Sequence, residues 1–142
     1  MSEQITIDAS QALIDLIFMG LDHGIGSVRG GDPLVPFVVV TGSDGKRTLT
    51  RFVTDQLEPS AARAGEFVTA LGNDAEMYVL VVDGYVHIEG KKYDAILVEG
   101  GERGKDYALQ FAQRYELETI EGPLEKIGNP AYLGQVAQRL TG

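Results

Sequence analysis

The sequence predicts an α+β fold in which three helices pack on a single antiparallel sheet of five or six strands. Short runs rich in β-branched and aromatic residues are separated by Gly-containing turns, which is typical of hairpins and therefore of an antiparallel sheet. Apolar residues at helical spacing form stripes before, between and after these runs. The chain has 142 residues and no repeat or evident linker. This is close to the commonest domain size, so we interpret residues 1–142 as one domain.

The first predicted helix runs from Asp8 to Asp22. Asp8 can serve as its N-cap, and Gln11 follows three residues later, at the spacing of a capping box. Gly24 is the predicted stop, because glycine tolerates the left-handed conformation that ends many helices. The apolar stripe of this helix consists of Ala9, Leu13, Leu16, Ile17 and Gly20.

A β-hairpin is predicted next, from the strands Pro36–Thr41 and Arg47–Val53. The dipeptide Asp-Gly at positions 44–45 separates them, and this dipeptide favours a two-residue turn. A turn of that length pairs Val40 with Leu49 and so fixes the register of both strands.

A second helix is predicted over Pro59–Leu71, since proline suits the first helical turn and a glycine follows the last apolar residue. Four segments with the composition of strands come next: Met77–Val82, Tyr85–Glu89, Lys92–Glu99 and Lys105–Glu116. The pattern of residues 105–116 fits one face of a helix or of a strand. We predict a strand, because a short Gly-bounded loop joins this segment to an antiparallel neighbour.

A third helix is predicted over Ala131–Leu140, with Asn129 as its cap and Pro130 at its first position. The resulting order, α-β-β-α-β-β-β-β-α, is similar to that of profilin-like and roadblock-like modules. Those modules place helices on both sides of a five-stranded sheet. The likeness is an analogy of architecture only, because no motif of either family is present, and it implies no function.

The charge balance limits the classes of partner. The chain has 12 basic and 21 acidic residues, a net charge of −9. Both nucleic-acid backbones and anionic membranes need a basic surface, so we expect no nucleic-acid and no membrane partner. The absence of cysteine excludes disulfides and thiolate chemistry. We expect a cytoplasmic protein, because no signal-peptide pattern is present and the apolar runs are too short to span a bilayer.

One candidate site consists of His87 and Asp94. If residues 90–91 form a two-residue turn, these side chains lie directly opposite each other on neighbouring strands. A carboxylate beside an imidazole is the arrangement that a general base needs. A buried or peripheral polar pair with no catalytic role is the alternative interpretation.

A second candidate site is the charged loop at residues 99–106. It could present Glu99, Arg103 and Lys105 to an anionic or polar ligand, or it could be a solvated hairpin tip. Arg114 could pair with an anion, or it could neutralise acidic neighbours. The two histidines fall in separate predicted elements, so we predict no metal site and no cofactor.

These observations favour a non-catalytic interaction module over an enzyme. No complete set of nucleophile, base and metal ligands is present. We expect a homodimer that uses a sheet edge or a helix face, because a small sheet with short helices leaves apolar edges to cover. The alternative is a small-molecule-binding protein, or an enzyme, with a polar site around His87, Asp94, Glu99 and Arg114.

Overall fold

Two helices and six strands make up the described part of the protein. The computed structural model describes residues 7, 9–29, 34–53, 57–117 and 124–140. The elements are α1 (Gln11–Arg29), β1 (Phe37–Gly42), β2 (Arg47–Arg51), α2 (Leu57–Thr69), β3 (Ala75–Ile88), β4 (Lys91–Glu102), β5 (Tyr107–Leu117) and β6 (Leu124–Ala137). All six strands form one antiparallel sheet in the order β2-β1-β3-β4-β5-β6. The predicted α+β class with a single antiparallel sheet is confirmed.

Each face of the sheet carries its own apolar core. On the α1 face, Val81, Ile96, Val98 and Leu109 pack with the apolar stripe of α1. On the α2 face, Ala64 and Val68 of α2 pack in a separate cluster with Val38, Ala75, Tyr78, Leu80, Ala108 and Leu140. Neither helix in the described part of the chain is long and apolar enough to cross a membrane.

The first helix differs from its prediction at both ends. Ser10 caps it, since the backbone N–H of Leu13 donates to Ser10 Oγ at 3.1 Å; the predicted cap, Asp8, lies outside the described residues. The predicted stop at Gly24 is wrong, because α1 continues to Arg29. A Cβ atom at Gly24 would lie 2.7 Å from Cγ2 of Ile96. The glycine therefore allows α1 to approach the sheet closely rather than ending the helix.

The β1–β2 hairpin forms, but its predicted register is off by one residue. Val40 pairs with Thr48, and Leu49 pairs with Val39. The loop has three residues rather than two, because the N–H of Gly42 donates to the carbonyl of Lys46. Gly45, the third loop residue, has a positive φ of 81°, which is typical of three-residue hairpin loops that end in glycine.

The segments predicted as separate strands on either side of residues 83–84 are one continuous strand, β3. Gly84 causes no break; a Cβ there would meet Cδ1 of Leu97 at 2.8 Å, so it is a point of close side-chain approach. The β3–β4 turn consists of Glu89 and Gly90, with φ values of 51° and 80°. It therefore lies one residue earlier than predicted, and every pair shifts by two positions. The predicted strand at residues 105–116 is confirmed as β5.

The predicted third helix is wrong, because residues 124–137 form the edge strand β6. Asn129 and Pro130, the predicted helix start, lie in a bulge of β6. On either side of it, Ala112 pairs with Ala131, and Arg114 pairs with Ile127. Three residues of β6 thus oppose Gln113 alone. Proline is tolerated there, since an edge strand does not need every N–H for pairing.

Candidate functional site

The structure separates the residues of the predicted polar site. His87 and Asp94 share the α1 face, whereas Glu99 and Arg114 lie on the α2 face. The sheet runs between the two pairs, so these four residues do not form a single site. The predicted direct opposition of His87 and Asp94 is also wrong, because Asp94 pairs with Tyr85 and His87 pairs with Lys92.

Stacked aromatic and cationic groups surround the exposed end of the β3–β4 hairpin. On the α1 face, Nζ of Lys92 lies 3.9 Å from the ring centroid of Tyr85. The ring of His87 meets Tyr85 edge-on at 5.8 Å. On the α2 face, the guanidinium of Arg114 lies 4.7 Å from the ring centroid of Tyr93. Arg114 thus stacks on an aromatic ring of the same protein.

The charged loop is a tight turn that ties two parts of the fold together. Nε of Arg103 donates to the carbonyl of Ala75 at 2.8 Å, and its terminal nitrogen donates to the carbonyl of Gly72 at 3.0 Å. The carbonyl of Lys105 accepts a hydrogen bond from Nε2 of Gln138 at 3.1 Å. The bonds of Arg103 hold the turn against the α2–β3 loop.

Glu99 is the centre of a partly buried hydrogen-bond network on the α2 face. Its Oε2 accepts a hydrogen bond from the hydroxyl of Tyr78 at 2.5 Å and one from Nε of Arg139 at 2.6 Å. The side chain of Glu99 is 11% exposed. Glu99 was a candidate from the sequence, but neither partner was: Arg139 fell in the wrongly predicted helix over residues 131–140, and no register between the strands of Tyr78 and Glu99 was predicted. The network fastens the segment after β6 to the centre of the sheet.

Two tyrosine hydroxyls are kept neutral by this fold. Burial, and then the neighbouring Glu99, raises the pKa of Tyr78 far above its usual range. Burial, and then a hydrogen bond to Asp83, raises the pKa of Tyr115 in the same way. That bond, from the Tyr115 hydroxyl to Oδ1 of Asp83, is 2.8 Å long. The folded state therefore binds both phenolic protons more tightly than the unfolded chain does.

We expect the stability of the protein to fall steeply above about pH 10, the ordinary pKa of tyrosine. Below that pH both states hold the phenolic protons, so the stabilisation is complete. At higher pH only the unfolded chain releases these protons. The free energy of unfolding therefore falls by about 1.4 kcal/mol per pH unit for each tyrosine. Denaturant unfolding between pH 8 and 11.5 measures this slope. Tyr78→Phe should reduce it, and the exposed Tyr85→Phe serves as control; equal slopes in the two variants would contradict the expectation.

β2 forms one edge of the sheet, a position that no local sequence pattern indicates. The N–H of Gly42 bonds to Lys46, and the N–H of Phe52 bonds to the carbonyl of Pro36. Along an antiparallel pair of strands, residues alternate between hydrogen-bonded and non-hydrogen-bonded positions. The backbone groups of Thr48 and Thr50 therefore also point toward β1. The backbone groups of Arg47, Leu49 and Arg51 then point out of the sheet, and they bond to no described residue.

The side chains of these three residues give the edge a pattern of its own. All three are exposed and lie on the α1 face, and Leu49 is 43% exposed. No ion pair joins Arg47 or Arg51 to a residue within the described ranges. The opposite edge, β6, is interrupted by its bulge and by positive φ values at Gly128 and Gly134. β2 is therefore the straighter of the two edges and carries a basic-apolar-basic side-chain row.

Comparisons of the chain with family models, with curated protein sequences and with solved structures find no match. Among the described residues, no group of three or more His, Asp or Glu side chains is placed to hold a metal ion.

Proposed function

We propose that this protein is an interaction module that binds an extended, acidic segment of another protein by strand addition to β2. The observation that supports the proposal best is the outward-pointing backbone of Arg47, Leu49 and Arg51 at the straight edge of the sheet. In strand addition, backbone hydrogen bonds give affinity, and alternate side chains give specificity. An added strand would satisfy the N–H and carbonyl groups of all three residues.

Charge selects the partner. Side chains that are directly opposite on neighbouring antiparallel strands interact, and opposite charges contribute roughly 0.2–1 kcal/mol per pair. A partner with acidic residues opposite Arg47 and Arg51 and an apolar residue opposite Leu49 matches this edge. The whole chain has a net charge of −9, so the surface outside this edge repels an acidic segment and restricts its docking to β2.

A second copy of the chain is a poorer match for the same edge. If two β2 strands pair antiparallel about a two-fold axis at Leu49, Arg47 of each copy lies opposite Arg51 of the other. Like charges in directly opposed positions destabilise the pairing. The homodimer expected from the sequence therefore stays a separate prediction. Sedimentation at micromolar concentration tests it, and a mass near 15.3 kDa would contradict it.

Fluorescence anisotropy with two short labelled peptides tests the proposed function. The first contains Glu-Thr-Val-Thr-Glu and the second contains Lys-Thr-Val-Thr-Lys, so the two differ only in charge. Both are nearly palindromic and can pair in either direction. We expect the acidic peptide to bind at least tenfold more tightly, with an advantage that shrinks as salt is added. Equal binding of the two peptides, or tighter binding of the basic one, would contradict the proposal.

A further inference from the structure

A cavity of about 300 Å³ lies between α1 and the bulge of β6. It lies at the end of the sheet opposite to β2, so it is independent of the proposed strand-addition edge. Phe18 and Leu21 of α1 form one wall, and Pro130 in the bulge belongs to the other. A volume of this size accommodates a single small ring compound.

The side-chain amide of Gln113 contributes a hydrogen-bond acceptor to the lining of this cavity. Gln113 is only 3% exposed. Its Nε2 donates to the backbone carbonyls of Arg114, Ile127 and Gly128 at 3.0, 3.4 and 3.2 Å. These bonds determine the orientation of the amide group, so Oε1 is the atom left for the cavity. No described residue donates to Oε1, so this acceptor is available to a ligand in the cavity.

The remaining groups favour an uncharged aromatic ligand. The ring of Phe18 is 42% exposed, and it is held by an edge-to-face contact with Phe111 at 6.0 Å. An aromatic ligand can therefore pack on it without a rearrangement of the core. The two charged side chains beside the cavity, Asp22 and Lys126, form an ion pair with each other at 3.5 Å. They leave no net charge to attract an ion.

We infer that this cavity binds a small, neutral heteroaromatic compound whose ring N–H donates to Oε1 of Gln113. Indole and the nucleobases have this chemistry and this size. The ring packs between Phe18 and the bulge of β6, and the N–H supplies the donor that the protein itself does not provide. The bulge has a function in this arrangement, because it moves the edge strand outward and opens the cavity above Gln113.

The test is an NMR titration of the ¹⁵N-labelled protein with indole and with N-methylindole. The two probes have nearly the same shape, but only indole has the N–H donor. We expect indole to shift the amide signals of residues 18–22 and 126–130 and the side-chain amide signal of Gln113. N-methylindole should bind at least tenfold more weakly, since it leaves Oε1 unpaired.

A pair of variants controls for nonspecific binding of indole to exposed aromatic side chains. Phe18→Ala removes one wall of the cavity and should weaken indole binding at least fivefold. Tyr107→Ala removes another exposed ring, which lies six residues along β5 from Gln113. This control variant should leave indole binding unchanged. Equal affinity for the two probes would overturn the inference, as would shifts confined to other parts of the protein or no shifts at millimolar indole. None of these results depends on β2, so they leave the proposed function untouched.

Discussion

Replacing Gly100 by alanine is expected to destabilise the protein by about 2 kcal/mol. Gly100 lies on β4 directly beneath α1. A Cβ atom there would lie 2.5 Å from Cγ1 and 2.8 Å from Cδ1 of Ile17. Ile17 is fully buried, so its side chain has no free space to enter, and α1 must move away from the sheet.

A matched glycine on α1 itself provides the control. Gly26 is exposed, and a Cβ added there meets no atom within 4 Å. Gly26→Ala should stabilise the protein by roughly 0.5–1 kcal/mol, because alanine favours a helix interior more than glycine does. Urea unfolding of the two variants measures both effects. Similar midpoints for both would mean that α1 does not pack on β4 as the structure shows.

Reversing the charge of the β2 edge is expected to reverse its choice of partner. In the double variant Arg47→Glu, Arg51→Glu, two attractive cross-strand pairs with an acidic peptide become repulsive. If each pair changes by about 1 kcal/mol, affinity for the acidic peptide falls roughly 30-fold. The basic peptide should gain by a similar factor. The same anisotropy assay with both peptides measures the change.

The control for this variant changes the total charge by the same amount elsewhere. Arg63→Glu combined with Lys91→Glu alters exposed residues of α2 and of the β3–β4 hairpin. If only net charge matters, both double variants weaken the acidic peptide equally, and the strand-addition model is wrong. If β2 is the site, the control should lose less than threefold.

In the β3–β4 hairpin, the sequence predicted which residues share a face of the sheet better than it predicted their pairing. Face depends only on alternation along a strand, and the β3–β4 register shifts by two positions, an even number. His87 and Asp94 therefore remain on one face although they do not oppose each other. The shift arises at Glu89, which adopts a positive φ that is uncommon for a non-glycine residue.

The error at residues 129–140 has a different physical cause. Asn followed by Pro is a valid local signal for a helix start, but pairing with β5 and the packing of Tyr132 on Phe111, at 5.2 Å, prevail over it. Local propensity is a weak prior where tertiary contacts are available. The same error hid Arg139, the ion-pair partner of Glu99.

The β2 edge and the Gln113 cavity could not be predicted from local patterns. An edge is defined by the order of strands in the sheet, and that order depends on contacts between distant segments, such as β1 with β3. The cavity requires the bulge of β6, whose sequence signals are those of a helix cap. In both cases the residue types form no functional motif, and their proposed binding roles depend only on their positions in the fold.

Amide hydrogen exchange along β2 tests the central claim most directly. In the free protein, the inward-pointing N–H groups of Thr48 and Thr50 should exchange slowly, and those of Arg47, Leu49 and Arg51 should exchange quickly. On saturation with the acidic peptide, the three outward N–H groups should become protected to a similar degree. Binding of the peptide without added protection at these three amides would contradict strand addition at β2.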